Sequence, residues 1–214
     1  RESQAFKGSR RRRTMMHRFI FLFVLVSFFP HTRGECVATN NNIVTMVNSW
    51  CSKYVNGELN VTENECDDIE AWDTSQVNNM YNLFAHKNLR PVSFEQNLNG
   101  WDTSEVTSMM GTFQSSNFNG NISNWNTGKV LNMHTMFYNN ADFNGDISNW
   151  DTSRVTSLSF AFYGATSFTG DGLSNWDTSK VTSLYQTFSG ATSFTGDGLS
   201  NWNTSKVKIG RAHV

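Results

Sequence analysis

From Trp101 onward the apolar residues fall into an order that recurs. One copy places Trp125, Val130, Met133, Phe137, Phe143 and Ile147. The next places Trp150, Val155, Leu158, Phe162, Phe168 and Leu173, and a third Trp176, Val181, Leu184, Phe188, Phe194 and Leu199. Between them stand almost only Gly, Asn, Asp, Ser and Thr. Trp72 and Trp101 open the same phrase earlier and Trp202 opens it again; the last four intervals between these tryptophans are 24, 25, 26 and 26 residues. Self-similarity at a near-fixed period in this range marks a solenoid or array. One copy has too few apolar groups to stand alone, so copies must stack.

Within a copy, Val, Met or Leu, and Phe stand at i, i+3 and i+7, which predicts one face of a short helix. Thr or Ser just before Val supplies a capping oxygen, and Gly or Asn after Phe ends the helix. The segment from the second Phe to the next Trp, such as 143–150, predicts a turn and a very short strand. Trp101, Trp125, Trp150, Trp176, Phe137, Phe162 and Phe188 are the expected core. Stacking also aligns Thr103, Thr127, Thr152, Thr178 and Thr204, and Asn124, Asn149, Asn175 and Asn201, in columns whose polar groups satisfy one another.

The phrase W-[DN]-T-S-x-V-T-S-[ML]-x(3)-F, followed by A-x-x-F-x-G-D-I-S-x-W, resembles the BspA-type leucine-rich-repeat surface proteins. It is also similar to a related repeat of unknown function, abundant in mycoplasma lipoproteins and in marine protists. The likeness covers roughly residues 70–207. It implies an extracellular α/β leucine-rich-repeat-like solenoid of about 25-residue coils, used for adhesion in the better-known members. It names no ligand, because the recurring residues are the scaffold.

The flanks differ. Residues 1–14 hold five arginines and read as translated leader sequence. Met15 or Met16 then precedes His17-Arg18, the largely apolar run Phe19–Phe29, and small residues at Thr32 and Gly34, which is a secretory signal over 15–34. That run is too short to span a bilayer. Residues 35–71 predict an N-terminal cap, with Ile43, Val47, Trp50 and Tyr54 on one face of a helix from about Asn42 to Val55, capped by Asn40 or Asn41 and ended by Gly57. The tandem repeats occupy 72–208, and residues 209–214 break the pattern abruptly, as adapter-derived sequence would. A chain continuing through further repeats is the expectation.

Composition narrows the function. The whole chain has a formal net charge of −1, but residues 35–208 contain 17 acidic and 8 basic residues, a net of 8 − 17 = −9. An acidic repeat region argues against nucleic acid, whose phosphates it would repel. Of three cysteines, Cys36, Cys51 and Cys66, two are expected to pair in an oxidising compartment; three pairings are open and Cys51–Cys66 is the expected one. Asn60 is the favoured glycosylation acceptor among three sequons. Asp146, Asp171 and Asp197 recur in turn segments, where they could stack as oxygen ligands for calcium, but Asx turns are the favoured account of them. No nucleophile–base–acid set stands out, so no enzyme activity and no cofactor are expected.

The expected function is that of a secreted or cell-surface module that binds an extracellular protein or glycan. Membrane attachment would come only through an anchor outside the sequence. A structural role in a wall or matrix, and a non-catalytic repeat region of a longer enzyme or receptor, are the alternatives, with ice or calcium binding behind them. A ligand can be read only by what varies between copies: Glu105, Lys129, Arg154 and Lys180 early in each repeat, and Tyr81, His134 and Tyr185 further along. The insertion carrying His86, Lys87 and Arg90 is the irregular partner-contact candidate.

Overall fold

The computed structural model describes residues 36–55, 58–59, 66, 68–87, 89 and 94–208, all within one compact unit. The signal segment 15–34, the flanking 1–14 and 209–214, Gly57, Asn60 and Arg90 lie outside the described residues. The first elements are strand β1 (Val37–Thr39), helix α1 (Ile43–Ser52), strand β2 (Tyr54–Val55) and strand β3 (Glu58–Leu59). A fourth strand, β4 (Asp73–Gln76), opens the repeats. β1 pairs parallel to β4, and β2 antiparallel to β3.

Helix α1 buries Ile43, Val47 and Trp50. Trp50 packs on Phe94 with ring centroids 5.6 Å apart, so the N-terminal helix seals against the repeats. It ends at Ser52 rather than Val55, because Tyr54 and Val55 pair with β3 instead. Its cap position is Asn42, not Asn40 or Asn41. The Asn42 side chain turns back to β1, accepting from the Thr39 N–H at 2.6 Å and donating to the Val37 carbonyl at 3.1 Å. Asn40 bonds to Asn78 of the first repeat at 2.7 Å.

The disulfide joins Cys36 to Cys66, with Cα atoms 5.4 Å apart, and Cys51 is the free thiol. This corrects the expected Cys51–Cys66 pairing. Cys51 sits in α1, packed against the core, and its burial pushes the thiol pKa up to about 11. Cys36 lies where β1 meets the start of β4: its carbonyl accepts from the Asp73 N–H at 3.1 Å. The bridge therefore ties the first strand to the entrance of the repeats.

Five repeats follow, here numbered as coils 1 (72–100), 2 (101–124), 3 (125–149), 4 (150–175) and 5 (176–201), and Trp202 begins a sixth. The helix expected in each is not formed; the described repeats contain only short 3-10 turns, such as Leu98–Gly100 and Leu173–Asn175. The reason lies in where the backbone donors go. In coil 3 the N–H groups of Met133, Thr135, Phe137 and Asn139 donate to Ser157, Ser159, Ala161 and Tyr163 of coil 4 at 3.2, 3.0, 2.8 and 2.6 Å. The alternate residues Met136, Tyr138 and Asn140 bond back three residues, to Met133, Thr135 and Phe137. The same pattern joins coils 1 to 2, 2 to 3 and 4 to 5. An α-helix would consume every donor within its own segment. Here half of them cross to the next coil.

Crossing requires that peptides be flipped. In each coil two residues four apart have positive φ: Asn82 and His86, Gly111 and Ser115, Thr135 and Asn139, Phe160 and Gly164, Gln186 and Gly190. Positive φ at the third residue is the type II arrangement, which Gly and Asn adopt most readily. Pairing of strand type is reduced to single parallel bridges, Asn79–Ser108–Asn132–Ser157–Ser183. They sit just after the recurrent valine; one further parallel bridge, Phe94–Phe118, joins coils 1 and 2 at the second phenylalanine, where the segment expected to hold the strand begins.

The interior is a set of aromatic columns. Trp101, Trp125, Trp150 and Trp176 are 3, 2, 3 and 3% exposed. Successive pairs stack at 6.4, 6.4 and 6.2 Å. Each indole N–H donates backward, as Trp150 does to the Ile122 carbonyl at 3.2 Å. Phe113, Phe137, Phe162 and Phe188 form a second column at 5.4–5.6 Å; Phe137 and Phe162 are buried and Phe188 half-buried. The threonine column is also internal. Thr103, Thr127, Thr152 and Thr178 are 1–2% exposed, and each hydroxyl donates to a carbonyl of the next coil at 2.9–3.3 Å. These hydroxyls cross between coils instead of capping a helix. Thr204, the last of the aligned threonines, is exposed.

Candidate interaction surface

The flipped turns decide which side chains leave the core. In the segments 107–116, 131–140, 156–165 and 182–191, the phenylalanine and the residue before it turn inward, while the residue after it and, except at Ser159, the residue three before it reach the surface. Tyr81 and Tyr185 occupy one such column and are 52 and 60% exposed. His134 shares that column, and Tyr138 and Tyr163 share another. Phe160 stands at a positive-φ position filled elsewhere by Asn82, Gly111, Thr135 and Gln186.

Five of these side chains meet. Phe160 contacts His134 at 5.8 Å, Tyr138 at 6.1 Å, Tyr163 at 5.9 Å and Tyr185 at 5.1 Å, with its ring turned 63–88° from theirs. Tyr138 and Tyr163 stack on each other at 4.9 Å. The result is a ledge of rings spanning coils 3, 4 and 5, in which Tyr185 is exposed and His134, Tyr138, Phe160 and Tyr163 are half-buried. Phe160 has φ of +56°, which costs a non-glycine residue about 1–2 kcal/mol. Edge-to-face contacts, about 0.5–1.5 kcal/mol per pair, offset part of that cost.

The ledge carries no formal charge. None of the segments 107–116, 131–140, 156–165 and 182–191 contains Asp, Glu, Lys or Arg. The charged residues of the repeats lie in other columns. Glu105 and Lys129 form an ion pair at 2.6 Å, with both side chains about half exposed. Asp102 and Asp151 accept from the hydroxyl and backbone N–H of Ser104 and Ser153, which hold both carboxyls below the usual range. Asp177 and Asp146 are lowered in the same way, chiefly by the backbone N–H of Ser179 and Ser148.

Other sequence-level candidates are placed as follows. Asp146 accepts from Ser148, Asp171 from Thr169 and Asp197 from Thr195, each two residues away. Among the described residues no three His, Cys, Asp or Glu side chains gather as a metal would need. His86 is exposed and Lys87 half-buried. The insertion is anchored by Leu89, whose N–H donates to the Asn117 side chain at 2.9 Å. A shallow polar cleft of about 450 Å³ spans the junctions of coils 2, 3 and 4, lined by residues that include Asn124, Asn126, Asn149 and Asp151. Its Asn126 and Asp151 oxygens already close turns onto Gly128 and Ser153. No helix among the described residues is long and apolar enough to cross a membrane.

The structure joins His134 and Tyr185 from the sequence candidates through Phe160, and adds Tyr138 and Tyr163. Tyr81, two coils before His134, shares their column. Glu105, Lys129, Arg154 and Lys180 fall in the charged column instead. Compared with known families, the chain matches the family model described as "Mycoplasma protein of unknown function, DUF285" over residues 53–170 and again over 139–212. No curated protein and no solved structure matches it significantly.

Proposed function

The chain belongs to that DUF285 repeat family, and we propose that it acts as a secreted or cell-surface adhesion module of the BspA type. In this reading a leucine-rich-repeat-like solenoid serves as a rigid scaffold, and an extracellular protein or glycan binds the outward positions that differ between coils. The observation that carries the reading is the ring ledge of Tyr138, Phe160, Tyr163 and Tyr185. It gathers large side chains at variable positions, where a scaffold needs only small polar ones. Tyr is enriched among residues that dominate interface energetics. Several coils offer many contacts in parallel, and linked weak contacts add into useful avidity.

The test is a matrix-protein and glycan array probed with the secreted chain, with Tyr185→Ala and with a variant lacking residues 85–91. Binding that Tyr185→Ala reduces supports the ledge. No binding above background by a folded chain would sink the adhesion reading. Equal binding by the loop deletion removes only the role of His86, Lys87 and Arg90.

A further inference from the structure

We propose that the ledge binds a neutral, extended β-linked polysaccharide laid along the stack of coils, with Phe160 as its central stacking platform. This rests on the reading of the surface as an interaction module and names its ligand class.

Charge is the first argument. Four successive repeats place ten consecutive residues on this side without one Asp, Glu, Lys or Arg, although residues 35–208 carry 25 charged side chains, 17 acidic and 8 basic. A polyanionic glycan would need cations on the ledge, and a basic peptide would need carboxylates; the ledge supplies neither. It supplies rings together with uncharged donors and acceptors. Asn139 and Gln186, both exposed, flank it. A neutral pyranose presents the matching pair of features: an apolar C–H face for a ring, and hydroxyls for amides.

Ring orientation is the second argument. Tyr138 and Tyr163 stack coil upon coil, only 9° from parallel, so each covers a face of the other. Phe160 is turned 63° or more from all four neighbours. Its plane therefore runs differently from the column and is not stacked against any of these rings.

Spacing is the third. Chains bonded side by side through backbone hydrogen bonds lie about 4.7–4.9 Å apart. That is close to the advance per residue of an extended β-1,4-linked hexose chain, so successive sugars would meet successive coils. His134 and Tyr185 stand in one column two coils apart, with small Ser159 between them. A chain whose units alternate in orientation would meet a large side chain at every second unit.

The experiment is calorimetric titration of the intact chain with soluble cello- and chito-oligosaccharides of increasing length, at low and high salt. Affinity is expected to rise until the ligand spans coils 3 to 5, and to be unchanged by salt. Tyr185→Ala and Phe160→Asn should each weaken binding roughly tenfold, while hydrogen-exchange protection of the inter-coil amides stays intact. Saturable oligosaccharide binding that both folded variants retain would overturn the assignment to the ledge. Binding confined to sulfated oligosaccharides and abolished by salt would overturn the neutral-ligand class. Ledge-dependent binding to a matrix protein, with none to any oligosaccharide, would overturn this proposal and leave the adhesion reading standing. Binding to neither would overturn both.

Discussion

Replacing Trp150 by Ala tests what holds the coils together. Trp150 is 3% exposed and lies between Trp125 at 6.4 Å and Trp176 at 6.2 Å, both near-parallel. Its N–H also donates to the Ile122 carbonyl. Truncating a buried Trp costs about 3–5 kcal/mol through lost transfer energy and residual cavity. Trp202 provides the comparison: it is only half-buried and stacks on Trp176 at 6.2 Å with no tryptophan beyond it among the described residues. Trp202→Ala should therefore cost less, about 2–3 kcal/mol, from one lost stack and half the burial. Trp150→Phe keeps a ring but leaves the Ile122 carbonyl without its donor, costing about 1–3 kcal/mol. Guanidinium unfolding followed by hydrogen exchange at Phe113, Phe137 and Phe162, whose amides bridge coils 2–3, 3–4 and 4–5, resolves coil-by-coil loss, which a single melting curve would blur. If Trp202→Ala cost as much as Trp150→Ala, sandwiching by neighbouring coils would not be what stabilises the column.

Four further outcomes are expected. Thr127→Val removes a buried hydroxyl that donates to the Asp151 carbonyl at 2.9 Å and should cost about 1–2 kcal/mol in denaturant unfolding. Phe160→Asn should leave stability within about 1 kcal/mol of the parent, because relief of positive φ offsets lost ring contacts; a large loss would show that the ledge is structural. Cys51, with its pKa raised from 9.0 to about 11, should react with iodoacetamide below pH 9 about a hundredfold more slowly than an ordinary thiol, as measured by mass spectrometry, because only the thiolate attacks. Asp102, Asp151 and Asp177 have folded pKa values below their unfolded ones; their contribution is present above an unfolded value of about 3.9 and is lost as pH falls through the folded ones. Acid unfolding should thus shift to lower pH in Asp151→Asn, since Asn126 closes the same turn at 3.1 Å in the neighbouring coil without a titrating group.

The period and the inward positions were legible in the sequence because stacking forces equivalent residues into equivalent settings: Trp125, Val130, Phe137 and Phe143 bury for the same reason as Trp150, Val155, Phe162 and Phe168. The helix was a misreading with an identifiable cause. Val, Met and Phe at i, i+3 and i+7 satisfy a helical stripe, yet they also satisfy overlapping three-residue turns that bury the same side chains. Asn82 and Gly111, each midway between the conserved-spacing Met and Phe of its own coil, were the available signal against a helix, since both favour positive φ. The ledge was only half legible. His134 and Tyr185 stood out as variable, but Phe160 sits among Asn, Gly, Thr and Gln in its column, and nothing in a single copy shows that its ring reaches four others. Cys36–Cys66 was one of three open pairings and not the expected one, because the parallel pairing of β1 with β4, which carries Cys36 to the start of the repeats, is invisible in local spacing.

The inter-coil hydrogen bonds have a mechanical consequence. They run along the direction in which coils follow one another, so tension applied between the two ends peels the outermost coil's bonds one after another from the point of attachment, while inner interfaces share the same force over several bonds at once. Rupture then proceeds one coil at a time at modest force, and does not require whole rows to shear together. Each event frees about 25 residues, which extend to roughly 80–90 Å. A chain built this way would pay out length in steps under load.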